Sequence, residues 1–240
     1  MKQQTTKSLN GGFTLAESVI ALGILVVLIT GFLAVFGPAA TVIRKTLSAD
    51  EASRLQATLE RELTNVREGP EEQRYQNNPF YKAMNWIAGS HEKGKTILVY
   101  KYRGNPAQSR QDGTLVPADT DKIELAGLDF IVQPMVRRVD DPLLQEDLEA
   151  VDGRVFFVKM TQLVFEGEGL RLSEDIGIVT DPHSPGEDFS TNPAKYPEAV
   201  VAYEAEFYTL PTKSYDYLTK AFDPEKFRKP VFTRNLSVRR

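Results

Sequence analysis

From Phe13 to Phe36 the chain is apolar at almost every position, interrupted by Thr14, Glu17, Ser18 and Thr30. As a helix these 24 residues reach about 36 Å, enough to cross a hydrocarbon core of about 30 Å with some tilt. A helix apolar on every side is suited to lipid or to a deep core, not to a solvated surface. Gly37-Pro38 closes the run, and Pro38 removes one backbone hydrogen bond, which predicts a bend there. The pattern then becomes one-sided. Ile43, Leu47, Ala52, Leu55, Leu59, Leu63 and Val66 recur at helical steps, with Arg54, Glu60, Arg61, Glu62 and Arg67 between them. Gly69-Pro70 is the predicted stop.

Residues 71–91 read as polar and irregular, with a turn at Asn77-Asn78-Pro79 and an aromatic cluster of Phe80, Tyr81 and Trp86. Four strand-like runs follow: Thr96–Tyr102, Lys122–Val136, Arg154–Phe165 and Ala199–Thr209. In the last, Val201, Tyr203, Ala205 and Phe207 share one face, and Ala202, Glu204, Glu206 and Tyr208 the other. Arg103-Gly104-Asn105-Pro106 and Asp152-Gly153 read as tight turns, and Asp181–Pro197, with four prolines, as a surface loop. A short helix over Tyr215–Phe227 and a strand over Val231–Val238 end the chain. No helical pattern of length separates the strands, so an antiparallel sheet is expected rather than βαβ units. The fold class is therefore α+β: a long N-terminal helix, membrane-spanning in its first half and amphipathic in its second, packed on an antiparallel sheet. The expected division is 1–12 leader, 13–40 transmembrane helix, 41–69 amphipathic continuation and 70–240 globular domain.

The junction ahead of the apolar run carries the sharpest motif, Gly11-Gly12-Phe13-Thr14-Leu15-Ala16-Glu17. A secretory signal peptide has its small-residue cleavage site after the apolar region. Here the small residues precede it, so a cut after Gly12 leaves the apolar segment on the mature chain. This resembles the prepilin signal of type IV pilins and type II secretion pseudopilins, over roughly residues 7–45. One departure is that Pro38 lies a helical turn beyond Ala34, where members of that family often carry proline. The resemblance implies cleavage between Gly12 and Phe13 by a prepilin peptidase, which also methylates the new Phe13 amine. It implies a pilin-like fold and a role for Glu17 in assembly, neutralising the amine of a neighbouring subunit. It further implies an inner-membrane, single-pass protein with a cytoplasmic N-terminus and a periplasmic globular domain. Its partners would be other pilin or pseudopilin subunits, the assembly platform, and membrane lipid along residues 13–36. The resemblance also bears on type: Glu17 argues against the largest tip pseudopilins, which usually lack this acid.

Composition narrows the chemistry. The net charge is −4, and loss of Lys2 and Lys7 with the leader makes it −6. This gives no general attraction to nucleic acid; Arg228, Lys229, Arg234, Arg239 and Arg240 read as a solvated basic edge or tail, with contact to an anionic partner as the alternative. Without cysteine there is no disulfide and no thiolate site. Acidic stretches at Asp140, Asp141, Glu146, Asp147, Glu149 and Asp152, and at Asp181, Glu187 and Asp188, miss the calcium-loop template and read as solvated loops, so no metal or cofactor is expected. His91 and His183 are the only histidines, and no nucleophile elbow, Walker loop or zinc spacing frames them, so no enzyme is expected. Gly167-Glu168-Gly169 reads as a turn.

The leading expectation is a structural subunit, a minor pilin or pseudopilin, because some 170 residues follow the helix, more than a simple repeating pilin needs. The alternative is a membrane-anchored periplasmic binding domain or enzyme with an uncleaved signal anchor. A minor pilin whose 104–121 or 181–197 loops bind a surface ligand is a third reading.

Overall fold

A computed structural model describes residues 14–118, 130–184 and 186–240. Gly12 and Phe13 lie outside the described residues, as does 122–129 of the expected second strand. The chain divides into two compact units, Met1–Leu47 and Ser48–Arg240.

In the first unit the described residues are Thr14 and those of helix α1 (Leu15–Leu63), which continues into the second unit. Every residue from Leu15 to Leu47 is exposed, and α1 is the one described helix long and apolar enough to cross a membrane. Its hydroxyls are satisfied by its own backbone: Thr30 and Thr41 donate to the carbonyls of Val26 and Gly37, at 2.8 and 3.2 Å. That removes the cost of an unmet polar group in an apolar phase. The helix runs through Pro38 without a break.

The second unit begins where the apolar stripe is first covered. Ala52, Leu55, Leu59 and Leu63 are buried, and Val66 packs against them, whereas Ile43 and Leu47 stay exposed in the first unit. The α1 helix ends at Leu63 and not at Gly69-Pro70. There Gly69, at φ 100°, leads into α2 (Pro70–Tyr75), with Pro70 in its first turn. The expected irregular stretch is helical, because Asn78 does more than turn the chain. Its side chain accepts the amides of Phe80 and Tyr81 at 3.1 and 3.4 Å, capping α3 (Pro79–Gly89) with Pro79 pre-set behind it. On α3, the buried Trp86 donates its Nε1–H to the Tyr75 hydroxyl at 3.1 Å, and the Lys82 ammonium stands 4.5 Å from its ring centroid.

Among the described residues seven antiparallel strands form the sheet: β1 (Ile97–Ser109), β2 (Leu115–Pro117), β3 (Ile131–Arg138), β4 (Phe156–Glu166), β5 (Gly169–Leu172), β6 (Val200–Thr209) and β7 (Phe232–Arg239). The order is β2-β1-β4-β6-β7, with β3 paired to β1 and β5 to β4. Strand β1 runs on through Arg103–Pro106, correcting the expected turn. Gly104 pairs with Pro117 on one edge and Ile131 on the other. A Cβ at Gly104 would stand 2.6 Å from that of Leu115, so the cross-strand approach itself requires glycine. Gly167-Glu168 is the expected turn, the two-residue connection between β4 and β5, with Gly167 at φ 61°.

One face of the sheet, including Val201, Tyr203, Ala205 and Phe207, packs on α1 and α3. The other is covered as well. Leu98, Tyr100, Phe157 and Tyr208 meet Leu144 and Leu148 of α4 (Leu144–Glu149) and Leu218 and Phe222. Phe222 follows a π-helical turn, Tyr217–Ala221, where a short helix was expected. The 181–197 segment is not a free surface loop, since Phe189 and Tyr196 are anchored in the helix-side core.

Candidate functional site

Helix α1 opens with Thr14 ahead of its first turn and Glu17 three residues on. The Thr14 amide and hydroxyl both donate to Glu17 Oε2, at 2.9 and 2.8 Å, and the Glu17 amide donates back to Thr14 Oγ1 at 3.2 Å. This is a reciprocal capping box, which satisfies amides that a helix start otherwise leaves unmet. Only Oε2 is engaged by Thr14. Glu17 therefore has a local role, starting the helix, that was not part of its expected assembly role, although the Thr-x-x-Glu spacing was there to be read. The other two expected site residues, Gly12 and Phe13, precede the first described residue.

The globular unit holds a second concentration of charge. Asp147, on α4, is fully buried. It takes Arg137 Nε and the Tyr100 hydroxyl on Oδ2, at 2.6 and 2.7 Å, and Arg110 Nη1 on Oδ1 at 2.6 Å. Arg137 also reaches Asp141 and Asp112, at 2.9 and 3.0 Å. Asp112 stands 3.7 Å from Arg67, Arg67 pairs with Glu62, and Glu62 holds the buried Lys82, which also meets Glu71 at 2.9 Å. The chain of charges thus runs from α3 and the end of α1, across the β1–β2 connection, to β3 and α4. A cavity of about 90 Å³ lies beside it, lined in part by Arg67, Arg74, Arg137, Asp112 and Asp140. The 140–152 acids are thereby corrected in part: Asp147 is not a solvated loop residue but the buried centre of an arginine cluster. Sequence gave a weak sign of this in Arg137 and Asp141, four residues apart. The decisive Arg110–Asp147 pair spans 37 positions and leaves no local trace.

Burial pushes the Glu62 carboxyl up, but Lys82 and Arg67 outweigh it and hold it below its usual range. Asp112 is likewise lowered: burial opposes ionisation, and Thr114 and Arg137 more than offset it. Because both folded values lie below the unfolded ones, the stability they contribute is full above the unfolded values, near pH 4, and is lost as pH falls through the folded ones. Circular dichroism of the detergent-solubilised chain should show a flat melting temperature at neutral pH and a steep fall below about pH 4. A melting temperature unchanged at pH 3 would show that these pairs contribute nothing.

His91 Nε2 lies 3.1 Å from both the Met160 carbonyl and Thr161 Oγ1, and burial lowers its pKa. His183 stacks on Phe165 with centroids 4.4 Å apart. No group of three or more His, Asp or Glu is arranged to hold a metal ion among the described residues. No known family model, curated protein or solved structure matches the chain.

Proposed function

We propose that this chain is a structural subunit, a minor pilin or pseudopilin, of a type IV pilus or type II secretion-like filament. The observation that carries the reading is the junction at Gly12-Phe13, set directly before a helix that exposes apolar side chains along its whole first unit. Exposed apolar surface on this scale has no use in water. A bilayer can cover it while the subunit waits, and the equivalent helices of neighbours can cover it after assembly. In this reading the leader is cytoplasmic, the globular unit periplasmic, and a prepilin peptidase cuts after Gly12. The oxygen of Glu17 that Thr14 does not engage then receives a neighbour's Phe13 amine, while Thr14 holds the other. Other pilin-like subunits and the assembly platform are its partners.

Intact mass of the membrane-extracted chain tests the reading: loss of residues 1–12 and gain of one methyl are expected. Gly12→Leu should abolish the cut, since a side chain at that position obstructs the approach of the peptidase's catalytic groups to the backbone. A full-length wild-type mass, or normal trimming of the Gly12→Leu chain, overturns it.

A further inference from the structure

Among the described residues four strands have one partner each: β2 and β3 pair only with β1, β5 only with β4 and β7 only with β6. Of these, β5 and β7 lie in segments of opposite charge. On the β4–β5 hairpin, Phe165, Leu170, Leu172 and Ile176 are 46, 52, 44 and 63% exposed. Phe165 and Leu170 stand directly opposite each other, as do Leu163 and Leu172, so one face of the hairpin is an apolar patch. Around it lie Glu166, Glu168, Glu174 and Asp175, against the single cation Arg171, which pairs with Glu166 and Glu174 at 3.1 and 3.2 Å. The other edge is the reverse. Residues 226–240 hold six cations and no acid. Of these, Arg228, Lys229, Arg234 and Arg239 are exposed and form no ion pair among the described residues.

We infer that the acidic β4–β5 hairpin of one copy docks on the basic β7 edge of a second copy of this chain. An unpaired strand edge is a template for a further strand, and the charges decide which strand. Two β7 edges brought together would set cation against cation, and two hairpins acid against acid. Both self-matched pairings are disfavoured, while the crossed pairing neutralises each side and covers the apolar patch. The two surfaces are different, so the contact is heterologous: each copy that donates a hairpin still offers a free β7 edge. Such a contact repeats along a ring or an open filament. The inference stands on the globular unit alone and does not need the leader to be cut.

The absence of cysteine makes the test direct. Two differently tagged full-length chains, Leu170→Cys and Asn235→Cys, are co-expressed, and their membranes are treated with a short thiol-specific cross-linker. The expected product is a mixed dimer carrying both tags, with little product when either variant is expressed with its own kind. Arg234→Glu with Arg239→Glu in the Asn235→Cys chain should remove it, and Glu166→Lys with Glu168→Lys in the Leu170→Cys chain should restore it. Absence of the mixed dimer from two chains of unchanged melting temperature overturns the inference. So do equal yields from the matched mixtures, or cross-linking only to a different protein. Its failure is separate from that of the filament reading, which is decided by mass: a mixed dimer of uncut chains leaves this contact standing without the filament.

Discussion

Replacing Glu17 by valine is expected to leave membrane insertion intact and to cut filament entry by roughly a hundredfold or more. A carboxylate in an inserted helix is costly, so the isolated subunit gains by losing it. On the proposed filament reading the penalty would fall on assembly, where the neighbour's amine would enter the apolar phase unpaired. Removing one partner of a buried pair costs about 3–5 kcal/mol, and each 1.4 kcal/mol or so is a factor of ten. The capping box makes a second variant necessary, because valine also removes the acceptor of the Thr14 amide. Glutamine keeps an acceptor at that position and removes only the charge. If the charge matters for assembly, Glu17→Gln fails as Glu17→Val does. The measurement is the ratio of filament-bound to membrane-bound subunit at equal expression. Normal entry of the glutamine variant would reduce Glu17 to a helix cap.

Asp147→Ala is expected to cost the globular unit about 3–5 kcal/mol, the range for leaving a buried charge without its partner. Arg137 would lose the carboxylate at its Nε, Arg110 one of its two acids, and the Tyr100 hydroxyl its acceptor. Burial and Asp147 already hold that tyrosine's pKa well above its ordinary value. For a unit of this size the loss corresponds to a fall in melting temperature of about 10 °C, read by circular dichroism in detergent. A change below about 1 kcal/mol would place this cluster with ordinary surface pairs.

What the sequence shows about this fold follows from how local each cause is. The alternation of residues 199–209 is set by the strand itself and matches the faces seen at Val201–Phe207. The same locality makes the helix over 15–63 legible, apart from its end. Asn78-Pro79 was ambiguous because the same two residues begin a turn or cap a helix, and the choice rests on Phe80 and Trp86 finding a core. The second layer over the sheet was hidden: Leu144, Leu148, Leu218 and Phe222 are short-range fragments that cover Tyr100 and Phe157 only once the chain has doubled back. At the candidate site, Glu17 could be picked out by type and position. The Asp147 cluster could not, since its members come from four separate segments.

The pairing of Trp86 with Lys82 and Tyr75 has a practical consequence. It is the chain's only tryptophan, so red-edge excitation, which the tyrosines do not absorb, selects a single indole seated against the ammonium at one end of the buried row of charges. Its emission therefore monitors that end of the row without any label, in detergent, in vesicles or in an assembled polymer. A red shift on acidification would mark the moment water reaches Lys82. Comparing that moment with the loss of helical signal would show whether the charges yield before the fold or together with it.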